Sequence, residues 1–221
     1  MSAALGDDQL LLWPASQVRS GAVPAEHRGP LNEILDWSEE FLVTSNPALG
    51  RTGPVCPYTA PSLRKDLYYL GVAVDDGGGL DMPAVIAQLR TWHARLTAEL
   101  SEADRELVAL LVVLPHLDHT DSTELDELQR KAKDEFVAEG LMIGQFHPVC
   151  PEPGLWSRTF RPLRSPIPLL AVRQLLVFDL PFLESEPHLE RYLTRFADTI
   201  PARMRNQIVA RMTNNNHLDV A

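Results

Sequence analysis

The spacing of apolar residues predicts helices that alternate with short strands. Apolar residues recur at helical spacing in four segments: 31–46, 81–100, 121–140 and 186–212, the last with a break near Pro201. Four apolar runs of strand length lie at residues 67–74, 107–114, 141–146 and 169–178. This order predicts an α+β (or α/β) fold, a single compact domain with a small central sheet flanked by helices.

The same pattern sets the expected domain limits. Residues 1–28 mix Gly, Ala, Ser, Asp and Pro without a sustained period, which predicts a flexible N-terminal arm. Residues 29–212 form the predicted domain, and residues 213–221 form a predicted polar tail. The run DDGGG at residues 75–79 lacks the lysine and the spacing of a phosphate-binding loop, which indicates a plain strand-to-helix turn.

Net charge limits the partners of the protein. The chain has 221 residues and a formal net charge of −10, which argues against a nucleic-acid partner and against an anionic membrane surface. No run approaches the roughly 18 consecutive apolar residues of a membrane span, and the N-terminus lacks the pattern of a secretory signal. These features predict a cytoplasmic protein. They do not decide whether the protein forms a homo-oligomer.

The tetrapeptide Pro-Val-Cys-Pro occurs twice and contains both cysteines, Cys56 and Cys150. Proline fixes φ and removes a backbone donor, so each thiol is expected on a stiff loop. In a reducing cytosol such thiols are expected to be free or bound to a metal rather than paired in a disulfide. Cysteine and histidine are both axial ligands of heme iron, although a buried thiol also serves as a small apolar core residue.

The segment around Cys150 contains further residues that suit heme b. His147 follows an apolar run, at a strand end where open α/β sheets bind their ligands. Arginine pairs well with carboxylates such as the heme propionates, and aromatic side chains can wall a flat ligand. The candidate cofactor-binding residues are therefore His147, Cys56, Cys150, Arg158, Arg161, Arg164, Phe146 and Trp156. Alternatively, the arginines bind a substrate carboxylate, or the segment is a solvated loop with His147 at a strand end.

A second group of residues, in PHLDHTD at 115–121, offers a different metal site. His116, Asp118 and His119 supply two imidazoles and a carboxylate, the ligand set of non-heme iron enzymes. Polar residues just before a helix also serve as caps, which is the structural alternative.

The blocks GRTGPVCPYTAPSL and IGQFHPVCPEPGLW, with the later FRPLRSPIPLLAVR, resemble a bacterial domain family found among natural-product biosynthesis genes. In arrangement they also resemble the small heme-dependent N-oxygenases, which include arginine N-hydroxylases and enzymes that oxidise the lysine side-chain amine to a nitro group. This resemblance implies that His147 is the axial ligand, that Cys56 lines or alternatively ligates the heme, and that Arg161 and Arg164 lie near propionates or a substrate carboxylate. Cys150 departs from the pattern, because the distant relatives have small polar residues there.

The resemblance implies heme-dependent N-oxygenation of the amine or guanidine nitrogen of an amino acid in secondary-metabolite biosynthesis. The partners would be a small-molecule amine or amino-acid substrate and an external electron donor. Glu139 and Asp118 are candidates to pair with a cationic amine. Two other functions stay open: a non-catalytic heme-binding or sensing protein, and a non-heme iron enzyme that uses His116, Asp118 and His119.

Overall fold

The computed structural model describes residues 5–7, 9–74, 80–202, 204–206 and 208, so the predicted turn at 75–79 and the predicted tail lie outside the described residues. The strands are β1 (Leu5–Asp7), β2 (Leu10–Pro14), β3 (Tyr68–Ala73), β4 (Ala109–Val113), β5 (Leu141–Phe146) and β6 (Leu169–Gln174). The α-helices are α1 (Ala15–Arg19), α2 (Ala25–Trp37), α3 (Thr59–Arg64), α4 (Met82–Thr97), α5 (Glu102–Arg105), α6 (Thr123–Ala138) and α7 (Glu186–Phe196). A π-helical turn covers Ser38–Leu42, and 3-10 turns cover Pro47–Leu49 and Val177–Phe182. Within the described part of the chain, no helix combines the length and the apolar character needed to cross a bilayer.

The strands form one mixed sheet in the order β1-β2-β3-β4-β6-β5. β3 and β4 are parallel, and the other neighbouring strands are antiparallel. The register places Ala109 opposite Arg173 and Phe146 opposite Leu169. These two pairs lie at opposite ends of β6. The positions of the candidate residues are described below relative to these two ends.

Helices cover both faces of the sheet, and the predicted α+β fold is confirmed. Side chains alternate along each strand, so β4 directs Leu110 and Val112 into the apolar cluster shared with α4 and α6. Leu111 and Val113 instead join the cluster shared with α1 and α2. The apolar run at 107–114 is therefore buried on both faces, as its continuous pattern predicts. A third apolar cluster lies at the β5 edge of the sheet, where Tyr192 of α7 joins Val137 of α6 and Met142 of β5.

The N-terminal segment differs from the predicted flexible arm. Residues 10–14 form β2, antiparallel to β3, and Leu10, Leu12 and Trp13 are at most 1% exposed. Burying each such large apolar side chain stabilises the fold by roughly 1.5–3 kcal/mol. Helix α2 also begins at Ala25, earlier than the helical spacing predicts. The described residues from β2 onward therefore belong to the domain itself.

The C-terminal end of α2 is fixed against the sheet through its π-helical turn. Ser38 Oγ donates to the Ile34 carbonyl at 2.7 Å and lies 2.9 Å from the Tyr68 hydroxyl oxygen on β3. Both side chains are buried, and burial raises the pKa of Tyr68 well above its usual value, so the phenol stays neutral. Such π-turns within helices often occur at functional sites.

Candidate functional site

The two loops that contain Pro-Val-Cys-Pro pack against each other. Gly50, in the first loop, has a φ of 77°, and a Cβ at this position would overlap the backbone of Trp156 in the second loop. Nearby, the Phe41 and Phe160 rings lie 5.9 Å apart between centroids. The two sequence blocks therefore meet in space at Gly50 and Trp156, and the second loop also contacts Phe41 of the π-helical turn.

The predicted iron ligands of these loops do not meet. Cys56 lines a cavity together with Ala109 and Arg173, at one end of β6. His147 directly follows Phe146, which pairs with Leu169 at the other end of β6. Four residue steps separate these positions along the strand, about 13 Å at ~3.3 Å per residue. Iron–ligand bonds are far shorter than this, so Cys56 and His147 are not placed to ligate the same iron.

The His147 side chain turns toward α6. Its Nε2 lies 3.1 Å from Asp126 Oδ1, and the side chain is 2% exposed. Its Nδ1 is buried and has no hydrogen-bond partner among the described residues. The His147 backbone N–H donates to the Leu163 carbonyl at 3.2 Å, which holds the second loop on the strand end. A carboxylate partner of this kind often orients a metal-bound imidazole.

The other predicted residues of the second loop lie in different surroundings. Cys150 is fully buried, and burial raises the pKa of its thiol. Arg164 Nε donates to the Cys150 carbonyl at 3.1 Å, and Arg161 Nη1 donates to the Arg158 carbonyl at 2.7 Å. These two arginines thus brace the loop backbone, while the Arg158 side chain is exposed. Of the two predicted aromatic residues, Trp156 is 66% exposed, and Phe146 packs edge-on against Trp37 with ring centroids 5.8 Å apart.

Neither the groove described below nor the Cys56 cavity brings His147 and Cys56 together around a heme. The donor chemistry of His147 suits a metal, but His147 lines neither the Cys56 cavity nor the groove described below. The Cys56 cavity has a volume of about 40 Å³, whereas cofactor sites typically occupy roughly 300–1,000 Å³. Both cysteines are free thiols. Heme binding at these residues stays a prediction.

The predicted non-heme iron ligands are not gathered into a site either. His116, Asp118 and His119 are exposed, and Asp118 accepts hydrogen bonds from the Thr120 N–H and hydroxyl, both at 2.7 Å. These bonds lower the pKa of Asp118. Among the described residues, no three His, Cys, Asp or Glu side chains are grouped closely enough to hold a metal ion. Asp118 therefore serves as a turn residue, and Glu139 instead pairs with Arg90 at 3.0 Å.

A groove of about 560 Å³ runs along α2 and its π-helical turn. Trp37 and Phe41 line it, and their rings stack with centroids 5.7 Å apart and planes 23° apart. Pro166, from the second loop, also lines it. The complete lining is Gly29, Asn32, Glu33, Asp36, Trp37, Glu40, Phe41 and Pro166.

Three carboxylates line the groove. Glu33, Asp36 and Glu40 are spaced along the helix so that they share one face with the aromatic pair. No carboxylate of the three has a hydrogen bond or an ion pair to another described residue, whereas the adjacent Glu39 pairs with Arg19. The groove thus combines unpaired anionic groups with an aromatic surface, a combination that binds organic cations.

Sequence reasoning missed this groove. The signal was present, because residues 33, 36 and 40 are separated by three and four positions and lie beside Trp37 and Phe41. Spacing of this kind is also typical of an ordinary solvated helix face. The groove differs from such a face in that Pro166, far along the chain, also lines it, and this contact depends on the fold.

The fold and the groove define a small mixed-sheet α+β domain with an open groove on one helix, lined by acidic and aromatic side chains. Residues 31–207 match the family described as Domain of unknown function (DUF6875), and the chain belongs to that family. The three groove carboxylates and both aromatic residues lie within the matched segment. No curated protein matches the chain, and no solved structure matches it.

Proposed function

We propose that the groove binds a small organic cation, an alkylammonium or a guanidinium, and that the protein is an enzyme acting on this amine or guanidine. The observation that supports the proposal is the set of three carboxylates around the stacked Trp37–Phe41 pair. Their negative charge has no cationic partner among the described residues. A bound cation would supply that partner.

The expected affinity follows from the contacts that the groove offers. A cation over an exposed aromatic ring gains about 0.5–1 kcal/mol, and more when it is desolvated. Each solvent-exposed ion pair adds roughly 0.2–1 kcal/mol. Together, one aromatic contact and three ion pairs amount to about 1–4 kcal/mol, which places the dissociation constant of a simple cation near or above about 1 mM. A natural substrate with further contacts would bind more tightly.

The same charges discriminate between ligands. An anionic ligand meets three carboxylates and is repelled, and a neutral ligand keeps only the contact with the aromatic surface. Lowering the ionic strength is expected to strengthen cation binding, because exposed charges are screened less. Binding that is insensitive to salt would contradict an electrostatic site.

Calorimetric titration with agmatine, which carries both an ammonium and a guanidinium, tests the proposal. Asp36→Asn is expected to weaken binding by about two- to fivefold, because a surface ion pair contributes up to ~1 kcal/mol. Glu39→Gln is the matched control: Glu39 lies on the same turn but pairs with Arg19 outside the groove. Equal agmatine affinity in Asp36→Asn and Glu39→Gln, or equal affinity for agmatine and 1-pentanol, would overturn the proposal.

Heme-dependent N-oxygenation of the bound nitrogen is the reaction that the sequence resemblance implies, and it is proposed on that resemblance alone. Heme would supply the site at which dioxygen is activated, and an external electron donor would supply the electrons. Titration with hemin tests it separately from cation binding: a Soret band that His147→Ala abolishes supports the oxygenase. If the protein binds the cation but takes up no heme, the oxygenase proposal is rejected and the proposal of a cation-binding groove stands. Heme uptake without amine oxidation would instead indicate a sensing protein.

A further inference from the structure

The second Pro-Val-Cys-Pro loop carries an exposed apolar surface. Within the described part of the chain, large apolar side chains are exposed at five positions, and three of these lie on this loop: Val149, Leu155 and Trp156. Leu155 is 51% exposed and Trp156 is 66% exposed. Scattered apolar residues on a surface are ordinary, but neighbouring ones on a single turn indicate an interaction site, and tryptophan is a frequent anchor in binding interfaces.

The apolar tip of this loop, Leu155 and Trp156, is held by backbone contacts on both sides. The Gly154 N–H donates to the Phe160 carbonyl at 2.9 Å, which closes the turn that contains the tip. On the other side, the Trp156 carbonyl packs so closely on Gly50 that a Cβ there would come within 2.3 Å of its oxygen. A backbone held in this way has little conformational entropy left to lose on binding, so the apolar tip is preorganised for a partner.

The apolar tip lies close to the groove. Phe160, at the base of the tip, has its ring centroid 5.9 Å from that of Phe41, which lines the groove. Trp156 precedes Phe160 by four residues, so at ~3.3 Å per residue their backbones are at most about 13 Å apart. Pro166, further along the same loop, also lines the groove. An extended peptide of about five to six residues therefore reaches from the groove to the apolar tip.

The groove and the apolar tip differ in charge. The groove has carboxylates at Glu33, Asp36 and Glu40, whereas the exposed Arg158 follows Trp156 by two residues. A positively charged group is therefore attracted to the groove and repelled beside the tip. The complementary ligand has a cationic group at one end and an uncharged apolar group at the other.

We propose that the ligand of the groove is a peptide, with a lysine or arginine side chain in the groove and a large apolar side chain packed against Leu155 and Trp156. The inference rests on the function proposed above, because it takes the groove as the cation site. A free amino acid in the groove leaves the apolar tip uncovered, whereas a peptide of five to six residues covers both regions. The amine or guanidine on which the protein acts would then belong to a peptide chain.

Calorimetric titration of the intact protein with two capped peptides tests the proposal. The peptides are acetyl-Lys-Ser-Ser-Ser-Phe-amide and acetyl-Lys-Ser-Ser-Ser-Ser-amide, which have the same charge and length and differ only in the apolar residue. The first is expected to bind about tenfold more tightly, because its phenyl group leaves water for the surface of Leu155 and Trp156. Trp156→Ser is expected to remove this preference. Phe182→Ser is the matched control and should keep it, since Phe182 is also exposed but lies in the 3-10 turn beyond the other end of β6.

The outcomes separate this inference from the function on which it rests. Agmatine binding together with equal affinities for the two peptides would overturn the peptide ligand and leave the cation groove in place. The same tenfold preference in Trp156→Ser as in the wild type would also overturn it, because the apolar tip would then contribute nothing. If agmatine and both peptides fail to bind, the groove proposal and this inference fall together. A wild-type dimer on size-exclusion chromatography, with Trp156→Ser monomeric, would assign the apolar tip to a second copy of the chain and overturn the inference.

Discussion

The buried histidine of α4 predicts a loss of stability in mild acid. His93 is 4% exposed, and its Nε2 has no hydrogen-bond partner among the described residues. Burial lowers the pKa of His93 from 6.5 to about 4. The folded protein therefore keeps this imidazole neutral at pH values where the unfolded chain protonates it.

The direction and the size of the effect follow from proton linkage. Between pH 6.5 and about pH 4, the unfolded chain binds more protons at this position than the folded chain, so stability falls as the pH falls. From about pH 7 to about pH 5 the expected loss in the free energy of unfolding is about 2 kcal/mol. Carboxylates with lowered pKa values, such as Asp104 and Asp121, titrate mainly below this window.

Urea unfolding followed by circular dichroism at these two pH values measures the effect. The variant His93→Leu keeps an apolar side chain in the core and removes the titration, so the pH-dependent loss is expected to shrink by about 2 kcal/mol. His119→Gln is the matched control, because His119 is exposed. The same pH dependence in His93→Leu and in the wild type would refute the reasoning.

Substitutions at Gly50 and Asp179, each with a control variant, test the contact between the two loops and the ion pair at the end of β6. Gly50→Ala is expected to lower the free energy of unfolding by about 2 kcal/mol, because Gly50 has a φ of 77° and a Cβ there would overlap the Trp156 backbone. Gly29 lies on α2 with open space around it, so Gly29→Ala should be neutral or stabilising in the same urea titration. Asp179→Ala is expected to cost about 3 kcal/mol because it leaves Arg173 without its carboxylate, and adding Arg173→Met should recover much of that loss. Equal midpoints for the two glycine variants, or no recovery in the double variant, would contradict these assignments.

The sequence predicts those elements whose signal is local. β4 and α6 follow from continuous or periodic apolar residues, and α4 begins where the helical spacing begins, with Asp81 accepting a hydrogen bond from the Ala84 N–H at 3.1 Å. β2 was not predictable in this way. It has five residues, and its burial depends on β3, which lies more than fifty positions along the chain.

The candidate site was harder to predict because it depends on the order of the strands. β6 lies between β4 and β5 and runs antiparallel to both, so Cys56 and His147 fall at opposite ends of it. Loop sequences alone do not reveal this arrangement. Conversely, the stiffness of the proline-rich loops was predictable, but their contact through Gly50 and Trp156 is a tertiary feature.

The most direct test of the central claim is a two-dimensional ¹H–¹⁵N NMR titration of the protein with agmatine, observed at the indole N–H signals. The chain has four tryptophans, and Trp37 alone among them lines the groove, so the variant Trp37→Phe assigns its signal. If the groove binds organic cations, the Trp37 signal moves progressively with agmatine, while those of the buried Trp13 and the exposed Trp156 stay in place. A Trp37 signal that does not move at saturating agmatine, or that moves equally with 1-pentanol, would contradict the claim.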